Sequence, residues 1–276
     1  MLLISVALKV EAQPIIDFFK LKLIKDKRYN IYVNDEIALI VTGVGKINSA
    51  IATSYLSMLF KDQIKAYINI GIAGHKDLEL GTIVLADKIE DANTKKTQFP
   101  SLLLNLDLNP DLNLDSDILT KSVITVDKSE DNYKKDFVYD MEAFGFFKAA
   151  SKFTYIDLIC TLKIISDNAL SNFKELTEDR VKKLIDKNLD ILQKLSFDLI
   201  KLSKKIAPIN NELPAFLFEK FHFSEYEKHD LKKLYFKLSN LDENFSIKIE
   251  DFNKFENKKA FLTYLKSLYE KTKLGL

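Results

Sequence analysis

Eight short runs of apolar and β-branched residues recur in this 276-residue chain, at positions 2–7, 31–33, 37–42, 66–70, 82–86, 122–125, 155–160 and 161–166. Several are apolar almost throughout, and a strand without polar alternation has to be covered on both faces. Segments of helical period lie between them. Residues 46–60 place Ile47, Ala50, Ile51, Ser54, Tyr55, Met58 and Leu59 at helical spacing, and residues 141–152 repeat the theme with Ala143, Phe146, Phe147 and Ala150. Alternation of this kind confines the chain to the α/β class. It predicts a three-layer α/β/α arrangement around a central mixed, mostly parallel sheet.

Thr177-Glu178-Asp179 carries a helix-start signal, and an apolar period running to about residue 206 predicts one long helix that closes this unit. The stretch 207–214 then breaks the pattern with Pro208 and Pro214 and reads as a linker. Beyond it no strand pattern is visible. Ser224 and Glu227 have capping-box spacing ahead of Leu231, Leu234, Tyr235 and Leu238, and a further helix is predicted over about 258–272. The expected organisation is an α/β domain over 1–206 and a linker with a small α-helical C-terminal extension over 207–276. That extension packs either on the core or on a partner.

Composition narrows the function. Lys+Arg total 41 against 40 Asp+Glu, so no global field favours nucleic acid or an acidic membrane. The extension is equally balanced, with 11 lysines and 9 acidic residues from His222 onward. No run reaches about 18 apolar residues, and the short apolar N-terminus without a positive leader reads as a first strand of a cytoplasmic protein. Cys160 is the single cysteine, expected as a buried core thiol, and it excludes an intramolecular disulfide or a cysteine-rich metal site. Neither metal nor organic cofactor is expected. Residues 101–116, rich in Leu, Asn and Asp, form a loop candidate.

Acidic residues stand where strands should end: Glu11 after the first run, Glu142 within Asp140-Met141-Glu142-Ala143, and Asp167 after Ile164-Ile165-Ser166. In open α/β sheets ligands bind beyond the carboxyl ends of strands, where distant acids can converge on one small molecule. Glu11 and Glu142 alone also fit a helix start, where the dipole favours negative charge. Glycines accompany them. Thr42-Gly43-Val44-Gly45-Lys46 and Asn69-Ile70-Gly71-Ile72-Ala73-Gly74 hold four of the seven glycines directly after strands, where bare amides can approach a sugar or an anion. Neither loop matches a dinucleotide fingerprint or a phosphate loop.

These segments, with Ala7-Leu8-Lys9-Val10-Glu11, the continuation Ile47-Asn48-Ser49-Ala50 and Ile165-Ser166-Asp167, occur in an order and spacing that resembles the purine nucleoside phosphorylase and methylthioadenosine/S-adenosylhomocysteine nucleosidase superfamily over about residues 1–206. The resemblance implies a nucleoside phosphorylase-like fold and an N-glycosidase. It implies that Glu11 activates the attacking water, that Glu142 holds the ribose hydroxyls with Met141, and that Asp167, steadied by Ser166, protonates the purine at N7. Gly71, Ala73 and Gly74 would border the substrate. Carboxylates near a developing sugar cation and a proton donor near the leaving base both lower the barrier. Such a proton donor calls for surroundings that disfavour the charged carboxylate, so a closed, largely dry base pocket is expected. The resemblance also implies a homodimer.

Departures from the family pattern leave alternatives open. The only arginines are Arg28 and Arg180, neither near the glycine loops, so water is favoured over phosphate as nucleophile; Lys9, Lys46 or His75 are the available substitutes, His75 being expected as an exposed loop residue. The segment Thr125-Val126-Asp127-Lys128-Ser129-Glu130 resembles the base-recognition strand but has no phenylalanine. Phe99, Phe144, Phe173, the helical extension or a second subunit are the candidates for a stacking ring. A 5′-modified adenosine such as methylthioadenosine or S-adenosylhomocysteine is the leading substrate. Phosphorolysis of a purine nucleoside and a non-catalytic nucleoside-binding scaffold are the alternatives.

Overall fold

The structure, a computed structural model, describes the chain except residues 25, 27, 61–64, 102–117, 131–132, 134, 172–175, 206–212, 242–244 and 274–276. The loop candidate at 101–116, most of the linker and Phe173 therefore fall largely or wholly outside the described residues. The chain divides into two compact units, Met1–Ile206 and Ala207–Leu276.

In the first unit β1 (Leu2–Val6), β4 (Ile37–Val41), β5 (Ala66–Gly74) and β10 (Ile159–Asp167) run parallel, with β3 (Ile31–Val33) and β2 (Lys22–Ile24) extending the β4 edge in antiparallel pairs. The uninterrupted apolar runs are explained by the two cores they separate. Leu2, Ile4 and Val6 pack with Ala12, Ile15 and Ile16 of α1 (Lys9–Phe18) and with Leu192, Leu195 and Leu199 of α5 (Leu189–Lys205). On the opposite face Leu3, Ala38 and Ile40 pack with Ala52 and Leu56 of α2 (Lys46–Leu59) and with Phe146 and Phe147 of α3 (Ala143–Ala150). The three-layer order follows.

The other flank of the sheet closes on itself. Strand β10 pairs with β6 (Ile83–Asp91), β6 with β8 (Leu119–Thr125), β8 with β9 (Val138–Asp140), and β9 returns to β5 through Gly74 and Tyr139. A closed ring has no exposed edge on that flank. Its consequence for function is positional: β8 and β9, though antiparallel to β5, end where β5 and β10 end. The short strand β7 (Thr97–Gln98) pairs with β6.

Differences from the sequence reading are local. Where two strands were expected over 155–160 and 161–166 there is one, Ile159–Asp167, because a 3-10 turn at Ile156–Leu158 precedes it. Thr177 caps α4 (Glu178–Asp186) by accepting from the Arg180 amide at 3.3 Å, but the expected long helix breaks before α5. Asn188 lies in the break, where its Nδ2 bonds Leu184 O at 2.9 Å and Gly81 O at 3.2 Å, so the side chain competes for backbone carbonyls. Strands β2, β7 and β9 are two or three residues long and had no readable period.

The second unit contains α6 (Phe216–Lys220), α7 (Glu225–Leu241), α8 (Ile249–Phe252) and α9 (Lys258–Lys273). The capping box forms, with Ser224 N donating to Glu227 Oε2 at 2.8 Å and Glu227 N to Ser224 Oγ at 3.3 Å. Leu217, Phe223, Leu231, Phe252 and Phe261 bury a core of its own, in which Phe252 and Phe261 meet edge to face at 4.8 Å. Among the described residues no helix is long and apolar enough to cross a membrane.

Candidate active site

Strand β10 ends in a bulge. Ile165 is paired with Ala73 and Asp167 with Gly74, so Ser166 is the extra residue. Successive side chains of a regular strand face opposite sides, whereas the bulge turns both Ser166 and Asp167 onto one cavity. Ser166 Oγ donates to Asp167 Oδ1 at 2.6 Å, and the Tyr133 hydroxyl donates to Asp167 Oδ2. Asp167 as a residue is 5% exposed.

Glu11 occupies the first turn of α1, directly after β1. Its Oε2 accepts from Leu8 N at 2.8 Å and its Oε1 from Ile72 N at 2.8 Å. Gly71 makes room for it: a Cβ there would stand 3.0 Å from Glu11 Oε1. Burial pushes the Glu11 carboxyl up to about 7 against the two amides and Lys163, which favour the charged form.

Glu142 follows β9 and accepts from Gly45 N at 2.9 Å through Oε1. Gly45 adopts a φ of +101°, a backbone that favours glycine. Close helix packing brings the two together, since a Cβ on Gly145 would lie 1.9 Å from Lys46 O at the start of α2. Burial raises the Glu142 carboxyl, Lys163 opposes this and Asp140 adds to it.

Lys163, midway along β10, unites these groups. Its Nζ lies 2.8 Å from Asp140 Oδ2, both side chains being sealed from solvent. Asp140 further accepts from Thr125 Oγ1 at 2.7 Å and from the amides of Glu142 at 3.0 Å and Ala143 at 2.7 Å. Burial by itself would lower Lys163, but Asp140 and then Glu142 outweigh it and hold the ammonium above its ordinary range. One buried cation thus serves Asp140, Glu142 and Glu11.

Glu11, Glu142 and Asp167 line a single cavity of about 340 Å³. Ala73, Gly74, Val126, Met141 and Ser166 also line it, whereas Gly71 stands behind Glu11 and not on the wall. Sequence reasoning missed Lys163, masked in an apolar strand, and the two rings that reach the cavity, Tyr133 and Tyr139, 5.1 Å apart. Alternation beside Asp140 was the available signal for Tyr139; Tyr133 had none. Phe99 is instead 65% exposed, and Phe144 packs against the core on the α2 and α3 side.

No described residue on the cavity wall is basic. Lys46 is engaged by Asp91 at 2.5 Å and Asp127 at 2.8 Å, Lys9 is exposed, and Arg28 and Arg180 bond Tyr55 and Ser171. His75 is buried, not exposed as expected: its Nδ1 accepts from the amides of Asp77 and Leu78, which places the ring proton on Nε2 facing Asp136 Oδ1 at 3.1 Å. Cys160 is buried. Among the described residues no group of His, Cys, Asp and Glu is placed to hold a metal ion.

No family model matches the chain. A stretch of 70 residues, 25% of the chain, is 36% identical to the 5′-methylthioadenosine/S-adenosylhomocysteine nucleosidase of Lysinibacillus sphaericus, and the match spans 30% of that relative's length. Among solved structures, the S. pneumoniae nucleosidase of the same name, with a transition-state inhibitor, superposes with a TM-score of 0.57 at 16% identity over 71% of this chain and 97% of that one. The corresponding enzyme of Colwellia psychrerythraea, in complex with adenine, gives 0.57 at 16% identity, covering 72% and 95%. Futalosine hydrolase of Helicobacter pylori gives 0.56 at 18%, covering 71% and 97%. The α/β unit therefore has the nucleoside phosphorylase-like fold these proteins share, and the C-terminal helical extension lies outside the matched part.

Proposed function

We propose that the α/β unit is a nucleosidase that hydrolyses the N-glycosidic bond of a purine nucleoside, with a 5′-modified adenosine such as methylthioadenosine or S-adenosylhomocysteine as the first substrate to test. The observation that carries this reading is the convergence of Glu11, Glu142 and Asp167, drawn from three distant segments, on one cavity. The similar proteins named above, which are nucleosidases and a futalosine hydrolase, support it.

In this reaction water adds to C1′ of the sugar as the bond to the base breaks. Glu11 takes the proton of that water. A carboxyl near pH 7 suits this work, since a base matched to the operating pH combines availability with proton affinity. Glu142, fixed at Oε1 by Gly45, accepts from the ribose hydroxyls, and its charge and that of Glu11 stabilise the cationic sugar. Asp167 gives its proton to N7 of the departing base, with Ser166 aligning the carboxyl. Lys163 keeps the buried acids from repelling one another outright.

Water is the preferred nucleophile because the described wall carries acids and no cation to hold phosphate. Incubation with methylthioadenosine, S-adenosylhomocysteine, futalosine, adenosine and inosine, with and without phosphate, tests this. Release of free base and free sugar in the absence of phosphate is expected; a strict phosphate requirement with a sugar 1-phosphate product establishes phosphorolysis instead, and no turnover of any nucleoside leaves a non-catalytic binder.

We assign the protein a homodimeric state and a cytoplasmic location. The outer face of α2 supports the first: Ile47, Ile51 and Met58 are 70%, 55% and 58% exposed at helical spacing, next to Val44 on the cavity wall. Light scattering of the protein and of Ile51→Asp tests it, with a dimer expected for the first and a monomer for the second. The lone buried thiol Cys160 suits a reducing compartment.

A further inference from the structure

Tyr133 has no part in the chemistry above, yet its hydroxyl donates to Asp167 Oδ2, the carboxyl assigned to protonate the base. The same oxygen crosses Gly74 so closely that a Cβ there would lie 2.0 Å from it. Gly74 is therefore glycine for a reason that involves Tyr133, and the phenol reaches Asp167 over bare backbone. Tyr139 packs against the ring at 5.1 Å, and both rings line the cavity that holds the three acids. With Ser166 on Oδ1, both oxygens of Asp167 are engaged by hydroxyls of the protein.

A purine nitrogen that takes a proton from Asp167 needs a place beside that carboxyl. We propose that Tyr133 determines how tightly the site takes a base, its hydroxyl acting as an internal competitor that donates to the same Asp167 oxygen as the N–H of the released purine. The inference rests on the reading of Asp167 as the group that meets the base. Base binding exchanges one hydrogen bond to Asp167 for another, so the net gain from that contact is small, and the phenol withdraws while its ring remains available to border the base. Product release gains correspondingly, because the phenol returns to the carboxyl as the base departs. A hydrogen bond to a carboxyl group is strong enough for its loss to shift affinity on the order of tenfold.

Tyr133→Phe keeps the ring and removes the competing hydroxyl. Calorimetric titration of the wild type and this variant with adenine and with hypoxanthine is the test, together with steady-state kinetics on whichever nucleoside turns over. The variant should bind the free base about tenfold tighter and show a KM lowered by a similar factor, with kcat moving far less. In a chain without tryptophan, base binding should also perturb tyrosine absorbance in the wild type and lose that component in the variant. Equal or weaker base binding by the variant overturns the competitor role while leaving the nucleosidase reading intact. A kcat lowered more than tenfold at unchanged affinity overturns it too, since the phenol would then deliver the proton. Failure of both bases to bind either protein, with no nucleoside turned over, removes the base site and the nucleosidase reading with it; turnover at equal KM in the two proteins overturns the competitor role alone.

Discussion

Lys163 Nζ lies 2.8 Å from Asp140 Oδ2 with the two side chains 1% and 0% exposed, and its charge reaches Glu142 and Glu11 as well. A buried ion pair contributes little net stability against an apolar replacement of both partners, whereas removing one partner strands the other charge. Lys163→Met should therefore destabilise the fold by about 3–5 kcal/mol, and Lys163→Met with Asp140→Leu should recover part of that loss. Denaturant titration of the single and double variants checks this; a neutral single variant contradicts it.

Glu11→Gln should lower kcat by about 10² to 10⁴-fold, the usual range for a lost general base. In the wild type Glu11 is raised to about 7, so activity should fall as pH drops below that value and the carboxyl becomes protonated. A pH profile of kcat/KM without an acid limb near neutrality removes Glu11 from the role of base.

The same carboxyl has a consequence for stability. Its folded pKa of about 7 exceeds the ordinary 4.5, so between these values the folded state binds more protons than the unfolded one and stability declines as pH rises. Relative to Glu11→Gln, the wild type should lose about 3 kcal/mol between pH 4.5 and 7. Paired denaturation curves across that range measure the difference directly.

Asp167→Asn should reduce turnover of natural nucleosides by about 10² to 10⁴-fold. A riboside with an activated leaving group, such as nitrophenyl riboside, needs no protonation and should be cleaved by the variant nearly as well as by the wild type. Equal losses on both substrates would show that Asp167 holds structure and not a proton.

Gly145→Ala probes the packing that brings Glu142 to Gly45. The added methyl would meet Lys46 O at 1.9 Å, and this backbone atom cannot move without shifting the start of α2. A loss of about 1–3 kcal/mol is expected, typical of overpacking, with KM rising more than kcat falls. Thermal melts combined with kinetics test both parts.

The α/β class, most of the longer strands, the two-faced burial and the capping box at Ser224 were legible in the sequence because each depends on local periodicity or on neighbours within one turn. The three acids were legible as strand-end residues for the same reason. The sequence could not show that β5, β10, β6, β8 and β9 close a ring, since strand pairing depends on contacts between residues far apart in the chain. Nor could it show the bulge at Ser166, which is a mismatch of register between two strands. Lys163, hidden within an apolar strand, acquires its role only because Asp140, 23 positions away, is brought against it. Tyr133 acquired meaning only from Gly74 and Asp167, residues at the ends of two strands far from it in sequence. Local pattern selects the elements; charge pairing, close approach and the shape of the cavity arise where separate elements meet, and only the tertiary structure decides those.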